Sequence, residues 1–149
     1  MTESGAQPPH TELARLEERR ARGQDSGRAD AVARRHGRGF RTARENLADL
    51  VDKGSFLEYG ELAVAAQRSR RDYEDLQRET PADGVITGIG RINGSHFSGD
   101  SARAALAIYD YTVLAGTQGF FHHAKLDRIL ELAQRQSLPV VMYTEGGGG

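Results

Sequence analysis

Hydrophobic and polar positions divide the chain into a polar N-terminal third and a strongly patterned remainder. Residues 1–10 (MTESGAQPPH) show no periodicity and read as a disordered lead. Residues 11–22 have helical spacing, with Leu13 and Leu16 on the face of Arg20; Gly23 to Gly27 interrupt, and Ala29 to Arg35 predicts a second short polar helix. Neither carries enough apolar area to fold alone, so each must pack on something. Thr42-Ala-Arg-Glu45 fits a capping box opening a helix whose apolar face is Leu47, Leu50 and Val51, with Gly54 as its C′ residue. Ser55 to Tyr59 predicts a short strand, and Gly60 to Thr80 a loop or surface helix. Val85 to Ile89 and the stretch at Arg91-Ile92, followed by Asn93-Gly94, predict a β-meander with a tight hairpin. Ala104 to Val113 is apolar on both alternations, as in a strand covered on both faces. After Gly116-Thr-Gln-Gly119 comes a helix over 120–136 with Leu126, Ile129, Leu130 and Ala133 inward, then a buried strand over Leu138 to Tyr143 closed by Glu145 and four glycines. Strand, turn, helix, strand is a βαβ unit with parallel strands and a right-handed crossover.

Length and composition narrow the class. The 149 residues (16.3 kDa) suit one domain, and with no cysteine there are no disulfides, thiolate metal sites or cysteine nucleophiles. No apolar run approaches the ~20 residues of a membrane span, and no secretory signal is readable, so a cytoplasmic location is expected. Net charge is −1, which gives no global attraction to nucleic acid. The charge is uneven, however: residues 10–45 hold ten Arg against six acids.

The chemistry lies in the glycines. A glycine turn at the carboxyl end of a parallel strand exposes backbone N–H groups to a ligand, and two such turns, after 113 and after 143, fall close together in a βαβ unit. Converging amides bind phosphate or an oxyanion; Gly146 to Gly149 reads equally as a flexible terminus or linker. Neither turn matches a P-loop or G-x-G-x-x-G, and no G-x-S-x-G elbow supports serine hydrolysis. His122 and His123 are adjacent on a helix, diverge by about 100° and cannot share a metal; capping or packing is favoured over a place at the site. His96 has no partner at ligand spacing, and Asp110 reads as a hydrogen-bonded structural carboxylate rather than a catalytic acid. No metal site is expected.

Four segments in order resemble one family. They are Arg41-Thr-Ala-Arg-Glu45 with Gly54-Ser-Phe-Leu-Glu58, Thr80-Pro-Ala-Asp-Gly-Val-Ile-Thr-Gly-Ile-Gly-Arg-Ile-Asn-Gly94, Tyr109-Asp-Tyr-Thr-Val-Leu-Ala-Gly-Thr-Gln-Gly119 and Leu138-Pro-Val-Val-Met-Tyr-Thr-Glu-Gly-Gly-Gly-Gly149. Together they resemble the carboxyltransferase subunit (beta chain) of biotin-dependent acyl-CoA carboxylases of the propionyl-, methylcrotonyl- and acetyl-CoA type. The resemblance implies an α/β, crotonase-like ββα-repeat fold with an incomplete first half over 38–149, preceded by an Arg-rich helical extension over 11–37. It implies an enzyme moving a carboxyl group from carboxybiotin, on a partner carrier domain, to the α-carbon of an acyl-CoA through an oxyanion-stabilised enolate. The backbone amides of Gly147 and Gly148 would form the oxyanion hole, and Ala115, Gly116, Thr117, Gln118 and Gly146 would line the acyl-CoA. Where many members have Ser-Gly-Gly-Ala, this chain has four glycines. The implied partners are a biotin carboxylase/biotin carboxyl carrier subunit and further carboxyltransferase copies, with neither nucleic acid nor membrane. On this reading the chain is a fragment, inactive without the C-terminal half. Two alternatives are a non-catalytic interaction or oligomerisation protein using the Arg-rich helices, and a crotonase-type CoA thioester hydrolase or isomerase.

Overall fold

The computed structural model describes residues 11–146; the expected disordered lead lies outside them. Helices α1 (Thr11–Arg22) and α2 (Ala29–His36) form where the spacing predicts them. They do not fold alone. Arg19 of α1 donates to the Leu62 carbonyl at 2.8 Å and to the Tyr73 hydroxyl, and Arg20 Nε meets Glu61 at 2.6 Å. Arginine, rather than apolar area, fastens this segment to the rest of its own chain.

Helix α3 (Ala43–Leu50) opens on a complete capping box: Thr42 Oγ1 accepts from the Glu45 amide at 3.0 Å, and Glu45 accepts from the Thr42 amide at 2.8 Å. Thr42 also donates to Asp25 at 2.5 Å, joining the cap to the turn between α1 and α2. Thr42→Ala is therefore expected to lower stability by about 1 kcal/mol, read as a shift in urea midpoint without a change in slope. The helix does not end on Gly54. Val51 is already extended (φ −99°), and Gly54, at φ +74°, belongs to the next turn.

The sheet runs β1 (Leu57–Tyr59), β2 (Val85–Arg91), β3 (Arg103–Tyr109), β4 (Val140–Tyr143), in that spatial order. Between β1 and β2 lies α4 (Tyr73–Glu79), capped by Asp72, whose side chain accepts from the Glu74 amide at 2.8 Å. The first two pairings are antiparallel; β3 and β4 are parallel, joined through α5 (Phe120–Arg135). Strand β3 is covered on both faces, as its double apolar alternation predicts. Ala105, Ala107 and Tyr109 face α5 through Leu126, Ile129 and Ala133, while Ala104, Leu106 and Ile108 pack with Ala43 and Leu47 of α3.

Five further expectations change. β2 and β3 are not joined by a tight Asn-Gly hairpin: residues 92–102 connect them, Asn93 is left-handed at φ 55°, and the Gly94 amide is taken by Asp52 at 2.8 Å. Arg91 ends β2 instead of opening another strand. β3 stops at Tyr109 rather than Val113, because the Asp110 amide bonds the Gly84 carbonyl and its carboxylate accepts from the Thr112 amide, turning the chain. Leu130 lies on the outer side of α5, and β4 is half exposed because, among the described residues, it pairs with β3 alone.

Candidate functional site

The βαβ unit brings three turns to one end of the sheet. The antiparallel register sets Val85 opposite Tyr109, so the Pro81–Gly84 turn before β2 lies beside the exit of β3. The parallel register sets Ile108 beside Tyr143, so β4 leaves at the same end.

The turn after β3 is left-handed over three consecutive residues, Leu114 (φ 48°), Ala115 (φ 54°) and Gly116 (φ 73°). Side-chain-bearing residues adopt this conformation at a cost of order 1–3 kcal/mol each, and only where their surroundings enforce it. The enforcement is contact with the other turn. A Cβ on Gly116 would lie 2.2 Å from the Glu145 carbonyl oxygen and 2.7 Å from Gly146 Cα, and a Cβ on Gly146 would lie 2.9 Å from the Gly116 oxygen. Bare backbone meets bare backbone. Only glycine allows that approach.

The structure therefore brings Ala115, Gly116 and Gly146 together. Ala115 is exposed and Gly116 buried; the amides of Gly116 and Thr117 are committed to Val113 O and Leu114 O, at 2.9 and 3.1 Å. Gln118 donates through Nε2 to the Tyr109 hydroxyl at 3.1 Å. Gly147 and Gly148 follow Gly146 directly and lie outside the described residues.

Buried polar groups that sequence reasoning passed over support this end of the sheet. Ala82 and Asp83 are left-handed (φ 55° and 47°), and the Asp83 carboxylate caps α5 from a distance, accepting from the His122 amide at 2.8 Å. Lys125 Nζ donates to the Ala82 carbonyl at 2.8 Å and to the Val85 carbonyl, and burial pulls its pKa down to about 8. The Lys125 signal was present in the sequence, since 122, 125, 126, 129 and 133 form one helical stripe. Asp110 proves structural: it accepts from Arg28 at 2.8 Å and from the Thr112 amide and hydroxyl.

His122 is fully buried, with Nδ1 at 3.1 Å from the Asp83 carbonyl, Nε2 without a partner, and its ring edge-on to Tyr109; His123 is exposed. The two histidines thus diverge, and His122 packs. Burial lowers its pKa below 6.5. Below that value the unfolded chain takes up a proton that the folded chain refuses, so this contribution to stability is lost as pH falls from 6.5 toward the folded pKa. His122→Asn, which keeps a group near Nδ1, is expected to show a shallower loss of unfolding free energy between pH 7 and pH 5 than the parent, measured by urea titration.

Among the described residues, no group of three or more His, Asp or Glu is placed to hold a metal ion, and no helix is long and apolar enough to cross a membrane. What this end of the sheet offers is a cradle of close-packed main chain. A cleft of about 580 Å³ adjoins it, lined by Arg28, Arg34, Arg78, Thr112 and Leu114 among others.

Comparison with known proteins fits this geometry. The family model described as "Carboxyl transferase domain" matches residues 34–149. The propionyl-CoA carboxylase beta chain of Roseobacter denitrificans is 35% identical over 140 residues, covering 91% of this chain and 25% of that one. A solved single-chain, multi-domain long-chain acyl-CoA carboxylase is 56% identical with a TM-score of 0.92, over 97% of this chain and 14% of that one. The transcarboxylase 12S structure with methylmalonyl-coenzyme A bound is 29% identical with a TM-score of 0.77, over 97% of this chain and 26% of that one. These neighbours are carboxyltransferases of the crotonase-like fold, and the four-stranded α/β unit reproduces part of it. The chain spans about a quarter of the length of the curated relatives it matches. By sequence and by fold, it belongs to the carboxyl transferase domain family.

Proposed function

We propose that this chain supplies the acyl-CoA side of a carboxyltransferase site in a biotin-dependent acyl-CoA carboxylase. One observation carries the reading: two glycine turns, at the carboxyl ends of neighbouring parallel strands, meet main chain to main chain. Gly146 is thereby held against Gly116, and the amides of Gly147 and Gly148, which follow it in sequence, are the donors we assign to the thioester oxygen. Ala115 to Gln118 and Gly146 line the acyl-CoA.

The chemistry demands little else of this chain. Loss of an α-proton from a thioester to biotin freed of its carboxyl group moves negative charge onto the thioester oxygen, and fixed amides lower that barrier by roughly 2.7–4 kcal/mol per donor. Their advantage is preorganisation, since a turn already locked in place does not reorganise as charge develops. Close-packed glycine backbone suits any flat group presenting a carbonyl oxygen, which thioesters and the ureido ring of biotin both do. Carboxybiotin, on a partner carrier, supplies the carboxyl group when bound. The chain's own residues bind the thioester, orient its α-carbon and hold the enolate charge. The assembly consists of a biotin carboxylase, a biotin carboxyl carrier subunit and further carboxyltransferase copies in the cytoplasm.

The test is to supply the native assembly with bicarbonate, ATP and acyl-CoAs of increasing length. Carboxylated acyl-CoA is the expected product. Release of free CoA without carboxylation would instead favour a thioester hydrolase.

A further inference from the structure

Five of the ten arginines between residues 10 and 45 (Arg19, Arg20, Arg28, Arg35 and Arg44) are bonded to distant parts of the chain, and two of these reach the glycine turns. Arg28 of the α1–α2 turn, 9% exposed, donates to Asp110 Oδ2 and to Thr112 Oγ1, both at 2.8 Å. That anchors the chain just before the Leu114–Gly116 turn. Arg35, in the last turn of α2 and 8% exposed, spends its whole guanidinium fork on two places. Nε donates to the Arg41 carbonyl at 2.9 Å, Nη1 to Glu145 Oε1 at 2.8 Å, and Nη2 to Glu145 Oε2. The rings of Phe40 and Tyr111 lie 4.7 and 5.4 Å from its central carbon. Glu145 is 110 positions away in sequence and immediately precedes Gly146.

We infer that Arg35 is a positioning residue, the strut by which the N-terminal helices set the second glycine turn against the first. Resting on the carboxyltransferase reading above, this assigns the Arg-rich extension a part in the site without contact with substrate. The physical reason is the shape of the bond. A planar fork on a carboxylate fixes direction as well as distance, and lysine cannot reproduce it. Glu145 immediately precedes Gly146, which has no side chain of its own to anchor it, so the Glu145 carboxylate is the handle nearest the contact with Gly116. The missing side chain that lets Gly146 approach Gly116 also leaves its backbone the widest conformational freedom. The strut removes that freedom, and stacking on Phe40 and Tyr111 keeps the guanidinium from following solvent.

The experiment compares Arg35→Met, Arg35→Lys, Glu145→Gln and the Arg35→Met/Glu145→Gln double variant in the native assembly, reading carboxylation kinetics and amide hydrogen exchange. Arg35→Met is expected to lower kcat by 30-fold or more while KM for acyl-CoA stays within threefold. Arg35→Lys recovers less than half of that loss. Exchange over residues 143–149 should accelerate at least tenfold while β2 and β3 keep their protection. Because both residues act through one bond, the double variant should be no worse than Arg35→Met. Glu145→Gln, altering a half-exposed side chain, tests the strut even if Arg35→Met folds poorly. Retention of kcat within twofold in both single variants, unchanged exchange over 143–149, or multiplying losses in the double variant would overturn the inference. If the parent protein carboxylates no acyl-CoA, the carboxyltransferase reading fails by itself, and exchange over 143–149 alone then decides the strut.

Discussion

Gly116→Ala is expected to reduce carboxyl transfer to acyl-CoA by about 10²–10³-fold, the loss that follows removal of one oxyanion donor in other enzymes. The new methyl would stand 2.2 Å from the Glu145 carbonyl oxygen, far inside van der Waals contact, with backbone on both sides and no flexible side chain to yield. Its φ of +73° adds strain for any residue with a Cβ. Relief requires the turns to part, which on the function proposed above displaces Gly146 and with it the thioester site. Steady-state kinetics in the native assembly measure the effect. Gly39→Ala is the control, because that glycine is also left-handed (φ +79°) but a Cβ there meets nothing within 4 Å. Near-parental activity in Gly116→Ala would mean that the contact is not needed.

Asp83→Ala should cost about 2–4 kcal/mol of unfolding free energy, a larger stability effect than Thr42→Ala. Its carboxylate, 1% exposed as a residue, accepts a hydrogen bond from the His122 amide, one of the unpaired donors at the start of α5, where Gly119 has no side chain to cap with. A charge-assisted bond of this kind is worth roughly 1.5–3 kcal/mol. The left-handed backbone at 83 disfavours alanine further. Asp83→Asn keeps an acceptor and tolerates the conformation, so it should lose less than half as much. Denaturant unfolding of both variants checks the ordering, and equal losses would exclude capping as the cause.

The legible parts of this fold are those fixed within a few residues. Thr42 and Glu45 announce their box three positions apart, the double alternation of β3 encodes its two covered faces, and the turn–helix–turn rhythm after residue 113 gives the parallel unit. The segments quoted from Arg41 to the final glycines carried the family. What sequence reasoning missed is decided across the chain. β3 ends four residues early because of bonds from Asp110 to Gly84 and Arg28, 26 and 82 positions away. Asn93-Gly94 signals a hairpin, but the Asp52 carboxylate captures the Gly94 amide and a longer connection forms. Lys125 stands in the apolar stripe of α5 yet passes unnoticed, because only the fold reveals two carbonyls waiting for its amine. The two arginine anchors are least visible of all, two charges among ten in a segment whose composition suggests a solvated surface.

The most direct measurement is a structure of the native carboxyltransferase assembly with a non-hydrolysable acyl-CoA analogue bound. The carbonyl oxygen at the thioester position is expected about 2.7–3.1 Å from the amides of Gly147 and Gly148, with Gly146 still seated on Gly116. An oxygen held elsewhere, or a tail after Glu145 turned away from the Leu114–Gly116 turn with the analogue in place, would contradict it.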